Sequence, residues 1–143
     1  MDSVRDRKDK KSWVTIVIVG LLLFAAPLRI GVNKELGYHT LSLQMPTGDK
    51  DWKRYVDDFP EAHATISRGI RYLKEDKGVQ RIYLMGHSMG ARMASAYVSE
   101  TPDESVAGLI VAGGRNNGGG LLSCKNNLRQ VDIPVLDIWG DAS

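Results

Sequence analysis

The sequence predicts an α/β fold with a doubly wound, mostly parallel sheet. Stretches with the β-branched or alternating apolar pattern of strands recur along the chain, and helical patterns separate several of them. Such alternation is typical of a parallel sheet with right-handed crossovers and helices on both faces. The 143 residues, 43% of them apolar and 25% charged, suffice for the core of one globular domain. We expect a charged tail over 1–12 and the domain over 13–143.

The first predicted strand, Val14–Val19, lies inside a longer apolar run, Trp13–Leu28. Its density of β-branched residues suits a strand buried on both faces of a sheet. The run also follows a basic segment and ends near small residues, which is the pattern of a signal-peptide core. It is shorter than the ~20 residues that a membrane-spanning helix requires. We predict a strand and a cytoplasmic protein; the alternative is an exported or membrane-anchored protein whose residues 13–28 are a targeting segment.

Three segments are predicted between this run and residue 58. A short helix over Ala25–Leu36 would end at Gly37, which is a plausible C′ glycine. Tyr38–Gln44 alternates apolar and polar residues as a strand does, and the turn residues 46–49 end it. The polar stretch Asp51–Asp58 is predicted to be a loop with a helical turn.

A helix is predicted from Phe59 to the glycine at position 78. Asp58 would cap this helix, and Pro60 is compatible with its first turn. Its apolar residues recur at helical spacing and form one buried stripe: Phe59, Ala62, Ile66, Ile70 and Leu73. The same criteria give strand Arg81–Met85, helix Met89–Glu100, strand Val106–Ala112, a glycine-rich loop Gly113–Gly120 and strand Pro134–Trp139.

Charge and composition argue against several classes of function. The tail accounts for the net charge of +2, because its five basic residues outnumber its three acidic ones. The body is therefore neutral, whereas a nucleic-acid surface needs a clustered basic face. Cys124 is the only cysteine, and the three histidines show no ligand spacing with carboxylates. We expect no disulfide within the chain and no bound metal.

The residues Gly86-His87-Ser88-Met89-Gly90 form a G-x-S-x-G sequence. The motif directly follows a predicted strand and begins a predicted helix rich in small residues, which is the setting of a nucleophile elbow. Glycines are needed there because the serine sits in a strained turn with no room for neighbouring Cβ atoms. The turn would present the Ser88 hydroxyl at the positive end of a helix, with the Met89 amide directed at a developing oxyanion. The alternative is a tight turn without chemistry.

The other reactive side chains have simpler interpretations. His87 is adjacent to the serine, so its side chain leaves the backbone on the other side and serves packing or a local hydrogen bond. His63 on the predicted helix and His39 at the start of a strand are interpreted as structural. Cys124 has no histidine or helix N-terminus near it in the sequence, so we interpret it as a bystander.

A string more specific than G-x-S-x-G, L-S-L-Q-M-P, occupies positions 41–46. Together with the segments 27–29, 37–40, 59–63 and 134–140, it resembles a bacterial branch of the α/β-hydrolase superfamily. The resemblance extends roughly from Trp13 to the end of the chain. It implies a serine hydrolase that acts on a small-molecule ester, thioester or amide without a cofactor. Ser88 would be the nucleophile, and Gly86 and Gly90 would shape the elbow.

The sequence departs from the family's pattern in three places. Val19 stands where the family has the histidine of a His-Gly pair, and the following loop is short, which leaves Leu21 as the candidate second oxyanion donor. The family's triad acid lies three residues after the glycine of the final strand. That position is Ser143 in this chain, and Asp141 is the nearest carboxylate. The family's histidine follows one further strand, which would come after Ser143.

These departures lead to an expectation about activity. The triad order is serine, acid, histidine, and none of the three histidines follows the acid. We expect a chain truncated before the last strand and helix of the fold, with little or no esterase turnover. Asp141 is the candidate acid, and Asp137, on the strand itself, is interpreted as structural. The alternative function is a non-catalytic binding or scaffold protein of the same fold.

Overall fold

The computed structural model describes residues 14–20, 30–33, 38–46 and 51–139, with side chains described from residue 40 onward. Two 3₁₀ helices, Trp52–Asp58 and Gly120–Leu122, lie among these residues. The strands and the other helices are β1 (Val14–Gly20), β2 (Ile30–Asn33), β3 (Tyr38–Gln44), α1 (Phe59–Glu75), β4 (Arg81–His87), α2 (Met89–Glu100), β5 (Val106–Ala112), α3 (Cys124–Leu128) and β6 (Val135–Ile138).

The strands form one sheet in the order β2-β3-β1-β4-β5-β6. All neighbouring pairs are parallel except β2 and β3. The prediction of a strand at Val14–Val19 is confirmed, because Val17 of β1 lies opposite Leu41 of β3 and Leu84 of β4. The mostly parallel α/β sheet is likewise confirmed.

The predicted helix over Ala25–Leu36 is wrong where the structure describes it. Residues Ile30–Asn33 form β2, an edge strand that runs antiparallel to β3, with Val32 opposite His39. A four-residue strand is stabilised by the partner beside it rather than by its own sequence, so pairing with β3 overrides the local helical pattern. The other residues of the predicted helix lie outside the described ranges.

Within the described residues, α1, α2 and α3 lie on one face of the sheet, not on two. The connections from β3 to β4, from β4 to β5 and from β5 to β6 all move in the same direction across the sheet. Right-handed crossovers that move in one direction bring their helices to the same face. The opposite face carries Tyr83, Met85 and Ile110, which are half-buried, and Leu136 and Ile138, which are exposed.

Helix α1 packs on the sheet through the predicted apolar stripe, and all five residues of that stripe are buried. Gly69 lets this helix approach β3 closely, since a Cβ there would lie 3.0 Å from the Leu43 side chain. The predicted cap is wrong: Asp58 makes no side-chain capping bond, because the 3₁₀ helix before it holds its backbone in the helical region (φ −93°, ψ −4°). A capping side chain usually needs an extended backbone at that position.

His63 lies between α1 and α2. Its ring contacts the rings of Phe59 and Tyr97 at centroid distances of 6.1 and 5.5 Å, and its Nδ1 is 3.5 Å from a carboxylate oxygen of Glu100. Its Nε2 is buried without a hydrogen-bond partner in the described part of the chain. Burial lowers the pKa of His63 below its ordinary value of 6.5, and the Glu100 carboxylate opposes this shift. The site therefore favours the neutral ring.

We expect the free energy of unfolding to fall in acid because the unfolded chain binds a proton at His63 more tightly than the folded protein does. The stabilisation is therefore complete above about pH 6.5 and is lost as pH falls below that value. Each tenfold difference in proton affinity is worth about 1.4 kcal/mol. Denaturant unfolding of the wild type and His63→Leu between pH 7.5 and 5 should give a shallower slope for the variant. Glu100→Gln should steepen the slope, since it removes the group that favours the charged ring. Equal slopes in all three proteins would contradict this assignment.

Candidate active site

Ser88 occupies a single-residue turn between the last residue of β4 and the first residue of α2. Its backbone angles are φ 54° and ψ −115°, and it is the one non-glycine residue with positive φ among the residues described. Such a conformation costs on the order of 1–3 kcal/mol and persists only where the surroundings enforce it. In this turn the Ser88 amide donates a 2.9 Å hydrogen bond to the Ala112 carbonyl at the end of β5. The side chain is exposed.

The glycines of the motif make this turn possible. A Cβ added at Gly86 would lie 2.3 Å from the carbonyl oxygen of Gly90 and 2.7 Å from the Cα of Ala91. Both neighbours are backbone atoms, which cannot rotate away as a flexible side chain can. Strand β4 and the first turn of α2 therefore touch backbone to backbone. The predicted tight turn between a strand and a helix is confirmed.

The amide of Met89 is the first of helix α2. The first four amides of a helix have no acceptor within it, and the helix dipole adds partial positive charge at that end. Ser88 makes no side-chain capping bond to these amides. The start of α2 therefore offers backbone donors directly beside an exposed hydroxyl, which is the arrangement that an oxyanion hole requires.

The other predicted members of the site, Leu21 and Asp141, lie outside the described residues. Strand β1 ends one residue before Leu21, and its Val19 lies opposite Gly86 of the elbow strand. Strand β6 ends three residues before Asp141. Strands β1 and β6 therefore both end at the carboxyl edge of the sheet, where the elbow lies.

Neither of the two histidine side chains that the structure describes is hydrogen-bonded to Ser88. His63 lies against Glu100, at the far end of α2, and a rise of about 1.5 Å per residue puts that end about 18 Å from the elbow. His87 is exposed, and its ring lies close to Gly113, where an added Cβ would be 3.7 Å from its Nε2. His39 is a residue of β3 whose side chain is not described.

Other candidate chemistry is weak in the described ranges. Burial raises the pKa of the Cys124 thiol, which is the opposite of what a nucleophilic thiolate needs, and the Ser95 hydroxyl lies 3.8 Å from its sulfur. No cluster of three His, Cys, Asp or Glu side chains that could hold a metal ion occurs among the residues that the structure describes. Nor is any helix in that part of the chain long and apolar enough to cross a membrane.

A residue that sequence reasoning missed lies one turn into α2. Only 3% of the surface of Arg92 is exposed. Its guanidinium donates to the backbone carbonyls of Asn117 and Leu122, which follow β5 in the chain. It lies 4.9 Å from the ring centre of Trp52. Arginines are rarely buried to this extent, so the pattern alone predicts an exposed side chain. The available signal was its position among small and apolar residues of the predicted helix Met89–Glu100.

Comparison with known proteins agrees with this geometry. The alpha/beta hydrolase fold family matches residues 49–134. A search of curated proteins found no match. Among solved structures, the chain is similar to the Pyrococcus furiosus esterase Pf2001, with a TM-score of 0.58, 14% identity, and coverage of 86% of this chain and 59% of that one. It is also similar to Est1E from Butyrivibrio proteoclasticus, with a TM-score of 0.59, 16% identity, and coverage of 95% and 70% respectively.

A third similar structure is an alpha-beta serine hydrolase homologue from Coxiella burnetii, with a TM-score of 0.53, 15% identity, and coverage of 93% of this chain and 76% of that one. At these identities the likeness concerns the fold. The chain spans 59% of the length of the P. furiosus esterase. The family match includes β4, the elbow and α2, and it extends over more than half of the chain. The chain belongs to the alpha/beta hydrolase fold family.

Proposed function

We propose that the protein is a serine hydrolase that cleaves an ester, thioester or amide of a small molecule through Ser88. The observation that carries the proposal is the backbone of Ser88, held at φ 54° between β4 and α2 with its side chain exposed. Strained backbone conformations of this kind cluster at active sites, where the strain is part of the mechanism. The esterases among the similar structures favour an ester as the substrate.

The chemistry follows from this geometry. The Ser88 oxygen attacks the substrate carbonyl while a general base takes the hydroxyl proton, and the carbonyl oxygen gains negative charge. The Met89 amide donates to that oxygen in the transition state, because this amide has no acceptor within α2, whereas the amides of Ala91 and Arg92 donate to the Ser88 carbonyl. Collapse of the intermediate breaks the bond to the leaving group, which takes the proton from the base and departs as an alcohol, thiol or amine, and an acyl-serine remains. Water then repeats the sequence and releases the acid.

The partners of Ser88 are part of the proposal. Leu21 is the candidate for the second oxyanion amide, and Asp141 is the candidate acid that would orient a histidine. In support, strands β1 and β6, which precede these two positions in the chain, end at the edge of the sheet where the elbow lies. The general base is a histidine other than His63, which is held at the opposite end of α2.

Ser88→Ala should abolish covalent labelling by a fluorophosphonate probe, which reacts with activated serines. In well-studied serine proteases, loss of the nucleophile lowers kcat by on the order of 10⁴–10⁶. The assay uses the protein at its natural length, with hydrolysis of p-nitrophenyl acetate followed in parallel. Ser99→Ala, on the same helix, is the matched control, since its hydroxyl donates to the Ala96 carbonyl within α2. Labelling that survives in Ser88→Ala would show that another residue is the nucleophile, and a wild type that is never labelled would support the non-catalytic alternative.

Gly86→Ala should disrupt the elbow more than its single methyl group suggests. The new Cβ would meet backbone at 2.3 Å, so α2 must shift away from β4. We expect a loss of about 1–3 kcal/mol in the free energy of unfolding and at least a roughly tenfold slower labelling of Ser88. Gly69→Ala is the control, because its Cβ meets the movable Leu43 side chain. Urea unfolding and labelling kinetics on both variants test the expectation, and an unaffected labelling rate in Gly86→Ala would contradict it.

A further inference from the structure

Arg92 is a buried cation whose guanidinium, within the described part of the chain, donates its hydrogen bonds to the loop after β5. One guanidinium nitrogen donates to the Asn117 carbonyl at 2.9 Å and to the Leu122 carbonyl at 2.7 Å, and the other donates to the Asn117 side-chain oxygen. The ring of Trp52, the first residue of the 3₁₀ helix Trp52–Asp58, stacks against the guanidinium. A buried charge is expensive unless its donors are satisfied, so Arg92 and this loop require each other.

The loop that Arg92 holds comprises residues 113–122 and is named the glycine segment. Four of its glycines have positive φ, namely Gly113, Gly118, Gly119 and Gly120. Most of its residues are exposed, so little apolar burial keeps it in one conformation. Glycines also lose more backbone freedom on ordering than other residues do. The segment is therefore held by hydrogen bonds, both those from Arg92 and those that join Arg115, Asn116 and Leu121 to α3.

The glycine segment is joined to the elbow at two points. The segment continues directly from Ala112, the last residue of β5, whose carbonyl accepts a hydrogen bond from the Ser88 amide. Further along, it is joined through Arg92, whose own amide is 3.3 Å from the Ser88 carbonyl, one helical turn away. The path from Ser88 along α2 to Arg92, across to Asn117 and back to Ala112 is a closed ring of bonds.

We propose that Arg92 is a positioning residue for Ser88. By closing this ring it holds the glycine segment against α2, next to Ala112, the residue of β5 whose carbonyl accepts the hydrogen bond of the strained Ser88 amide. The catalytic part of this proposal rests on the proposed hydrolase function. The mechanical part concerns the backbone alone, so the two can fail separately.

The test combines amide hydrogen exchange with labelling of Ser88 in the natural protein. Arg92→Met keeps the aliphatic stem and removes the donors, whereas Arg92→Lys keeps the charge and can reach one carbonyl. Asn117→Ala removes the side-chain oxygen that accepts from Arg92, and Asn117 is exposed. This variant therefore tests the contact between Arg92 and the glycine segment even if Arg92→Met does not fold. Arg129→Met, an exposed arginine at the end of α3, is the control.

We expect Arg92→Met to speed exchange at the Leu122 and Ser88 amides by at least about tenfold, because hydrogen bonds from a charged donor are lost. Core amides such as that of Leu109 should change much less. Labelling of Ser88 should slow by a similar factor, Arg92→Lys should recover part of both effects, and Asn117→Ala should show a smaller change in the same direction.

Three results would overturn the proposal. Unchanged exchange at Ser88 would show that the ring does not hold the elbow. A uniform increase at all amides, Leu109 included, would mean that Arg92 stabilises the whole domain and not this site. Faster exchange at Ser88 with unchanged labelling would remove the catalytic part. A wild type that is never labelled counts against the hydrolase itself, and the exchange data then decide the mechanical part alone.

Discussion

The close approach of two backbones is the constraint on which the candidate site depends. Strand β4 and helix α2 touch where Gly86 meets the carbonyl of Gly90, with no side chain between them. Because the helix begins so close to the strand, a single residue must reverse the chain, and Ser88 takes the strained conformation that results. Its position beside the first amides of α2 follows from that contact, and its amide extends the pairing of β4 with β5 by donating to Ala112.

Strain at one residue needs support from the packing around it. Helix α2 supplies this support, since every residue from Gly90 to Val98 is buried between the sheet and the other helices of that face. A helix enclosed on all sides cannot move to relieve one unfavourable backbone angle. The same enclosure explains the buried polar groups of α2: Arg92 and Ser95 must find partners inside the domain, and both find them in the segment from Asn117 to Asn127. The packing around α2 thus both supports the strained backbone of Ser88 and orders the glycine segment.

Features that depend on local information could be predicted from the sequence. Helix α2 and strand β5 have the predicted limits, and the elbow needs only five consecutive residues to be recognised. Features that a distant partner decides could not be predicted in this way. Ile30–Asn33 is a strand because β3 lies beside it, and Asp58 does not cap because a 3₁₀ helix precedes it. The burial of Arg92 depends on an acceptor at Asn117, 25 residues further along the chain, so it was not anticipated from the neighbours of Arg92 in the helix. The acid and the second oxyanion donor stay predictions, since Asp141 and Leu21 lie outside the described residues.

The position of β1 has a consequence for the order in which the domain assembles. It is the first strand in the chain, yet it lies between β3 and β4, with Val14 opposite both Tyr38 and Arg81. Its pairing with β4 closes a loop of more than sixty residues. The entropic cost of closing this loop is larger than that of the shorter connection from β4 through α2 to β5, so the pairing forms more slowly. On a ribosome, the centre of the sheet must wait until β4 has emerged. The elbow, which is built at the end of β4, can therefore be completed only after the longest strand pairing in the described sheet becomes available.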